Sequence, residues 1–312
     1  MALGKKGSGM AEGQVTILVK RPLARRIADF PLVAMLIAIL LFLAATASGL
    51  FLGKFFLIGQ PGTAAVHMII NIALLLAVYK LLIVRLGERP RDDLPLHGAL
   101  AELAKGIAVG AALFSAVVGT AAILGVYRIT GPGSSSGFVL ALISTAIMPG
   151  FMEELLFRGI LFRWIEEFAG SWAALAITAA LFGLAHILNA NATWFSSFAI
   201  ALEAGLLLGG AYMLTRSLWL PIGLHAAWNF TQGEIFGVPV SGGAVQGLVK
   251  STLTGPDILS GGGFGLEASL IAMVIATAAG GWFVWAAVRQ GELVQPWWVR
   301  PASVSGGSPH LD

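Results

Sequence analysis

The chain has 312 residues, of which 57% are hydrophobic and 11% charged, and its mean hydropathy is +0.85. This composition excludes an ordinary soluble domain. The lack of cysteine excludes disulfides, thiolate metal sites, a cysteine nucleophile and lipidation at a C-terminal cysteine. The net charge of +3 does not indicate a nucleic-acid partner, because the basic residues flank apolar runs and form no single patch.

Long apolar stretches predict an all-α fold, a polytopic membrane protein of about eight transmembrane helices. A helix needs about 20 apolar residues to cross the hydrocarbon core. We expect a basic cytoplasmic tail over 1–28, a transmembrane domain over 29–288 and a polar tail over 289–312. The eight stretches lie at 31–57, 64–86, 104–126, 137–165, 171–188, 196–214, 217–236 and 266–287.

The connection between the seventh and eighth stretches, 237–265, is unusually long and contains nine glycines. Its composition is typical of a flexible linker, which is the interpretation we favour, although a lid over a site is the alternative. The excess of Lys and Arg in alternate connections predicts that both termini are cytoplasmic. Abundant alanine and glycine and short loops favour a prokaryotic plasma membrane.

The fourth stretch carries two adjacent acids, Glu153 and Glu154, followed by Arg158. Acidic residues at the centre of a spanning helix are expensive, about 2.5–3.5 kcal/mol each on insertion scales, so they need compensation. The spacing of four allows a Glu154–Arg158 ion pair and leaves Glu153 for another partner. Pro149-Gly150 predicts a broken helix whose second half begins near the acids. Arg163, Glu166 and Glu167 are interpreted as a solvated helix end.

Two further stretches supply His186 on the fifth and His225 with Asn229 on the seventh. The fourth and fifth stretches should form a hairpin that turns near Gly170, with Glu153 and His186 both about 24 Å from it. The same estimate of depth from the helical rise per residue places Asn229 closer than His225 to the level of Glu153 and His186. A lone intramembrane histidine is as often a packing residue as a functional one, but here two histidines and an asparagine accompany two acids.

This set of residues has the chemistry for peptide hydrolysis by activated water. A carboxylate in a low-dielectric site can act as a general base, and histidine can relay the proton. Asparagine and a second histidine can donate hydrogen bonds to an oxyanion. No covalent nucleophile is required.

At these residues the sequence resembles the CAAX prenyl protease and bacteriocin-processing (Abi) family of intramembrane endopeptidases. The motifs are Glu153-Glu154-x-x-x-Arg158, Phe182-x-x-x-His186 and His225-x-x-x-Asn229, in family order within helical stretches. The resemblance covers about 137–236. It implies that Glu153 and His186 activate water, that His225 and Asn229 form the oxyanion hole, and that Glu154 and Arg158 shape the site.

The resemblance also bears on cofactors and partners. Members of this family have been interpreted as metal-dependent and as glutamate-dependent peptidases. We favour no metal, because the sequence has no His-Glu-x-x-His motif, while a divalent ion such as zinc stays open. The implied partners are the lipid bilayer and a peptide or protein substrate in the membrane. A prenylated substrate and a bacteriocin-like peptide are both compatible with the motifs.

Two other classes of function are alternatives. Buried acids and histidines also mark proton- or ion-coupled transporters, and Glu203, His67, Lys80, Glu102 and Lys105 would serve such a pathway. The chain shows no internal repeat of the kind many transporters have. A non-catalytic immunity or scaffold membrane protein is the second alternative. Glu203, an acid in mid-stretch, is also a candidate to support the peptidase site.

Overall fold

The structure, a computed structural model, describes residues 22–56 and 63–300. Most of the predicted basic tail and the end of the C-terminal tail lie outside these residues. The main elements are α1 (Leu23–Asp29), α2 (Pro31–Phe56), α3 (Thr63–Leu81), α4 (Ala99–Ile123), β1 (Tyr127–Pro132), α5 (Phe138–Ala169), α6 (Ser171–Ala185), α7 (Trp194–Thr215), α8 (Trp219–Phe230), β2 (Val249–Leu253), α9 (Asp257–Ser260) and α10 (Leu270–Arg289).

The predicted all-α polytopic membrane fold is confirmed. Seven helices in the described part of the chain are long and apolar enough to cross a membrane, namely those beginning at Pro31, Thr63, Ala99, Phe138, Ser171, Trp194 and Leu270. The remaining predicted stretch, 217–236, forms α8 and a π turn over Thr231–Ile235. Helix α8 has 12 residues and the π turn has 5. At about 1.5 Å per residue the two extend only about 25 Å, which is less than the hydrocarbon core of about 30 Å.

Helix α5 is continuous, so the predicted break at Pro149-Gly150 is wrong. Two π segments, Leu142–Ile147 and Leu155–Phe162, flank the α-helical residues Met148–Glu154. A proline lacks the N–H of the helical ladder and its ring crowds the preceding turn. The wider π turn just upstream accommodates that defect without ending the helix, and π segments often occur at functional sites.

Small residues bring α8 into close contact with α4. A Cβ atom on Gly106 would lie 2.2 Å from the carbonyl oxygen of Leu220, and one on Gly223 would lie 2.4 Å from that of Leu103. Such close approach is how membrane helices pack without large side chains. The opposite side of α8 meets α5, where Ala226 contacts Gly150. Helix α8 is therefore held between α4 and α5, with the histidine and asparagine of its motif buried.

Helices α5 and α6 form the predicted hairpin, which turns at Gly170. This glycine has φ +85°, a backbone conformation that residues with a Cβ atom rarely adopt. Helix α6 then packs against α7 through Gly183, whose added Cβ would lie 2.3 Å from the carbonyl oxygen of Ser197. The hairpin fixes the relative depth of α5 and α6, and thereby of the motif residues they carry.

The 237–265 connection is folded, so its interpretation as a flexible linker is wrong. Strand β2 pairs antiparallel with β1, with a bulge between Ile129 and Gly131. A tight turn, Val240–Gly243, is closed by backbone hydrogen bonds of 3.0 and 2.8 Å between its first and last residues. We call this segment the site turn.

A second correction concerns Arg163 and Glu166, which are buried and do not form a solvated helix end. Glu166 accepts hydrogen bonds from Arg216 and from Ser171, and Arg163 lies 3.7 Å from the buried Asp93. These charges join the 86–98 loop and the ends of α5 and α7. We call Asp93, Arg163, Glu166 and Arg216 the loop clamp.

Candidate active site

Glu154 is the centre of a buried ion network. Its Oε1 atom lies 2.9 Å from Arg158 Nη1 and 2.9 Å from His225 Nδ1, and both Glu154 and Arg158 are fully buried. Arg158 also donates to the carbonyl oxygen of Ala204 and lies over the ring of Phe182 at 4.8 Å. Helix α5 thus orients a histidine of α8 through an ion pair within its own helix.

Glu153 faces the other nitrogen of the same histidine. Its Oε2 atom is 3.9 Å from His225 Nε2, and its side chain is 33% exposed. That oxygen is itself buried and has no hydrogen-bond partner in the described part of the chain. Unsatisfied buried oxygens are uncommon, so this one is available to a molecule that enters the site.

His186 ends α6 and begins a 3₁₀ turn, where its ring is oriented by a backbone contact. Its Nδ1 atom lies 2.7 Å from the carbonyl oxygen of Phe182. A carbonyl only accepts, so Nδ1 carries the hydrogen and Nε2 is the acceptor in the neutral ring. The Phe182 ring lies 4.8 Å from the His186 ring and 6.1 Å from that of His225. The phenylalanine of the second motif therefore packs near both histidines.

Asn229 donates from Nδ2 to the carbonyl oxygen of Thr145 at 3.0 Å, which ties α8 to the π segment of α5. The depth estimate favoured Asn229 over His225 as the neighbour of the acids. The structure has His225 there instead, 2.9 Å from Glu154.

The motif residues surround a cavity of about 200 Å³. The lining includes four motif residues, Glu153, His186, His225 and Asn229, together with Val240, Ser241 and Gly243 of the site turn and Val245. Glu154 and Arg158 lie behind this surface and contact His225 from within the protein. All six predicted residues are thus in one region. We call Glu153, Glu154, Arg158, His186, His225 and Asn229 the site cluster.

Two acids that support this region were only partly anticipated. Glu203 on α7 and Glu267 next to α10 line a second cavity of about 30 Å³ together with His186, His225 and Asn229. Glu203 was a candidate because of its mid-helix position, whereas nothing in the sequence distinguishes Glu267. The other polar residues considered for a transporter pathway, His67, Lys80, Glu102 and Lys105, line neither cavity.

Within residues 22–56 and 63–300, no group of three His, Asp or Glu side chains is arranged to hold a metal ion. Glu153 and Glu154 face different nitrogens of the His225 ring. The absence of a metal requirement stays a prediction.

Comparison with protein families gives one finding. Residues 135–231 match the model of the family described as Rce1-like, type II CAAX prenyl endopeptidase Rce1-like. The family resemblance is confirmed. The matched Rce1-like segment contains all six residues of the site cluster, and it agrees with the stretch on which the motifs were identified. Comparison with curated proteins and with solved structures gives no match.

The chain is a multi-pass membrane protein, and its residues 135–231 match a family of CAAX-type endopeptidases, whose class of reaction is hydrolysis. The family match does not assign roles to single residues.

Proposed function

We propose that this protein hydrolyses a peptide bond of a membrane-associated or lipidated peptide by a glutamate-type mechanism. The observation that carries the proposal is the buried Oε2 of Glu153, which has no hydrogen-bond partner within the described residues, while Glu153 lines a cavity together with two histidines and an asparagine. A positioned carboxylate within reach of a water molecule is what general-base hydrolysis requires.

In the proposed first step, Glu153 takes a proton from water while His186 orients the same water. The Nε2 atom of His186 can accept, because Nδ1 is committed to the Phe182 carbonyl. The hydroxide formed attacks the carbonyl carbon of the scissile bond. The proton held by Glu153 then passes to the leaving amine, so the carboxylate is regenerated in each turnover.

The oxyanion of the intermediate is assigned to His225 and Asn229. With Nδ1 of His225 bound to Glu154, Nε2 donates only when the ring is doubly protonated, a state that the two flanking carboxylates stabilise. Asn229 uses one amide hydrogen on Thr145 and keeps the other for the substrate. Donors held in place before the reaction stabilise a developing charge strongly, and Arg158 fixes Glu154 in turn.

A substrate with a lipid chain is supported by an apolar cavity beside the site. This cavity, of about 650 Å³, lies among α3, α4, α5 and α8 and is lined by Phe151 and Ala226, close in sequence to the site residues. Its volume is in the range of ligand pockets, roughly 300–1,000 Å³. A prenyl group or another hydrocarbon chain would fit such a surface.

The membrane topology stays a prediction. Both termini lie on the cytoplasmic side only if an even number of helices cross the membrane. With the seven long helices, this requires the short helix α8 to cross as well. The assignment to a prokaryotic plasma membrane rests on composition alone.

The test is cleavage of a panel of prenylated and unprenylated membrane peptides by purified protein, with and without a strong chelator. We expect Glu153→Gln to lower kcat about 10²- to 10⁴-fold, the usual contribution of a general base. The matched control is Glu88→Gln, the same change at an exposed loop position, which should retain full activity. Activity indifferent to the chelator supports the glutamate-type mechanism.

Two results would contradict this proposal. Cleavage that is unaffected by Glu153→Gln would remove the carboxylate from the mechanism. Cleavage that the chelator abolishes and zinc restores would indicate a metal-dependent peptidase. If folded protein cleaves nothing in the panel, the transporter alternative gains weight.

A further inference from the structure

Residues 244–246, which we call the open segment, follow the site turn and pass the candidate active site. Ala244 and Val245 line the cavity of about 200 Å³ together with Glu153 and His225. Over the open segment the backbone forms no helix, turn or bend. The chain therefore passes the cavity without changing direction sharply.

The pairing between β1 and β2 ends where the chain reaches the open segment. Beyond the two strands the ladder continues through two more hydrogen bonds. The N–H of Gly133 donates to the Leu248 carbonyl at 2.9 Å, and the N–H of Ser134 donates to the Gly247 carbonyl at 3.0 Å. After Ser134 the chain turns into α5. The open segment is thus the continuation of a strand whose neighbour has left.

The backbone of the open segment is unpaired as a result. Among the residues that the structure describes, none donates to or accepts from a backbone N–H or carbonyl of residues 244–246. These groups are strong donors and acceptors, and a strand edge that leaves them free is a template for another chain. The unpaired edge coincides with the stretch that lines the cavity.

Contacts on the side away from the cavity hold the open segment in place. Val240 and Gly243, at the two ends of the site turn before it, exchange backbone hydrogen bonds of 3.0 and 2.8 Å. Val245 packs against Gly233, where an added Cβ would lie 3.3 Å from the Val245 Cγ1 atom. An edge that is already held loses little conformational entropy when a second chain pairs with it.

We propose that the open segment binds the main chain of the substrate beside the scissile bond, as an added strand. This inference rests on the proposed function and extends it to how the substrate is held. The family match to endopeptidases makes a peptide the occupant, and the open segment lines the same cavity as Glu153 and His186. Pairing through backbone groups gives affinity whatever the side chains are, so this contact tolerates many sequences around the bond.

The test measures affinity, in protein that carries Glu153→Gln so that cleavage is slow. The probe is the prenylated peptide of the cleavage panel, labelled with a fluorophore. Ala244→Pro, Val245→Pro and Gln246→Pro each remove one N–H, and none of these residues has a positive φ that would exclude proline. Leu96→Pro is the matched control, because it removes an N–H that is unpaired within the described residues, in a loop position that is 83% exposed.

We expect the loss of affinity to alternate along the open segment. Neighbouring residues of a strand direct their N–H groups to opposite edges. Either Val245→Pro alone, or Ala244→Pro and Gln246→Pro, should therefore weaken peptide binding about three- to tenfold, the net value of one hydrogen bond. Leu96→Pro should bind the peptide like the parent. A prenylated cysteine methyl ester, which has the lipid chain but no peptide, should bind all variants equally and so shows that they are folded.

A second scan changes the substrate alone. Replacing one backbone amide at a time by an ester removes an N–H without adding bulk. Affinity should fall at alternate residues beside the scissile bond by about the same factor. In a proline variant that already binds weakly, the same ester should cost little more, because the two changes remove one shared pairing.

The proposal is overturned if all three proline variants bind the peptide like the parent, if all three weaken it equally, or if no ester changes the affinity. A panel in which no peptide binds overturns this proposal and the proposed function together. Peptides that bind with the alternating pattern but are never cleaved would contradict the proposed function alone.

Discussion

The site cluster and the loop clamp are both buried groups of charges, but they differ in how completely the charges are paired. In the loop clamp, both carboxylate oxygens of Glu166 contact Arg216, at 2.9 and 2.7 Å, and one also accepts from Ser171. In the site cluster, Glu153 and Glu154 each keep an oxygen without a hydrogen-bond partner, as far as the described residues show. In the loop clamp, Asp93 Oδ1 also lacks a hydrogen-bond partner among the described residues, but it lies 2.6 Å from Arg91 Nε. The fold thus pairs Glu166 fully and leaves one oxygen of each acid at the candidate site without a hydrogen bond.

This difference indicates which cluster serves stability and which serves function. A buried polar atom left without a partner costs about 1–3 kcal/mol, so each such atom calls for an explanation. At the candidate site, an incompletely hydrogen-bonded carboxylate lines a cavity, which is typical of a site that takes up a ligand. Substitutions in the loop clamp should therefore change stability alone, whereas some substitutions in the site cluster should change turnover at constant stability.

The largest expected effect comes from Arg158, which belongs to the site cluster but is fully buried. Arg158→Met leaves the charge of Glu154 uncompensated except by His225, and breaking a buried pair in this way costs about 3–5 kcal/mol. The loss is measured as the free energy of unfolding in a fixed detergent. Adding Glu154→Gln removes the second charge and should recover most of the stability while cleavage stays lost. If the double variant is no more stable than the single one, the Glu154–Arg158 pair does not carry this energy.

The next effect separates turnover from stability. Asn229→Ala removes an assigned oxyanion donor and should lower kcat about 10²- to 10³-fold with little change in KM. Asn229 is 6% exposed, and the variant loses only one hydrogen bond, to the Thr145 carbonyl, so its free energy of unfolding should fall by only about 1 kcal/mol. A raised KM at unchanged kcat would instead show that Asn229 binds the ground state of the substrate.

The sequence predicts the helices well, and the six predicted site residues lie in one region of the structure, whereas their roles stay predictions. Apolar length determines the spans, and spacings of four place Glu154 with Arg158 and His225 with Asn229 on common helix faces. The hairpin at Gly170 then brings His186 toward Glu153, and both line the same cavity.

What the sequence does not predict depends on departures from regular geometry and on distant contacts. The π segments of α5 flank Pro149, where the sequence predicts a break, and His225, not Asn229, lies next to Glu154. Glu166 pairs with Arg216, 50 residues away in the chain, and Glu267 contacts the site turn, 26 residues before it. The periodicity of apolar residues reports local structure only, so it does not predict contacts between distant parts of the chain.

The smallest expected effect tests the loop clamp. Arg216→Met removes the ion pairs with both Glu166 and Glu292. It should lower the free energy of unfolding by about 1–3 kcal/mol, because the Arg216 side chain is 16% exposed and water replaces part of the interaction. Arg216 has φ +53°, and methionine is subject to the same backbone strain, so the comparison isolates the charge. Arg128→Met, at an exposed position of β1, is the matched control and should change stability little. Activity per folded molecule should be unchanged in both variants. A fall in kcat for Arg216→Met at a temperature where it is fully folded would mean that the two clusters are coupled, and the division between a structural and a functional cluster would fail.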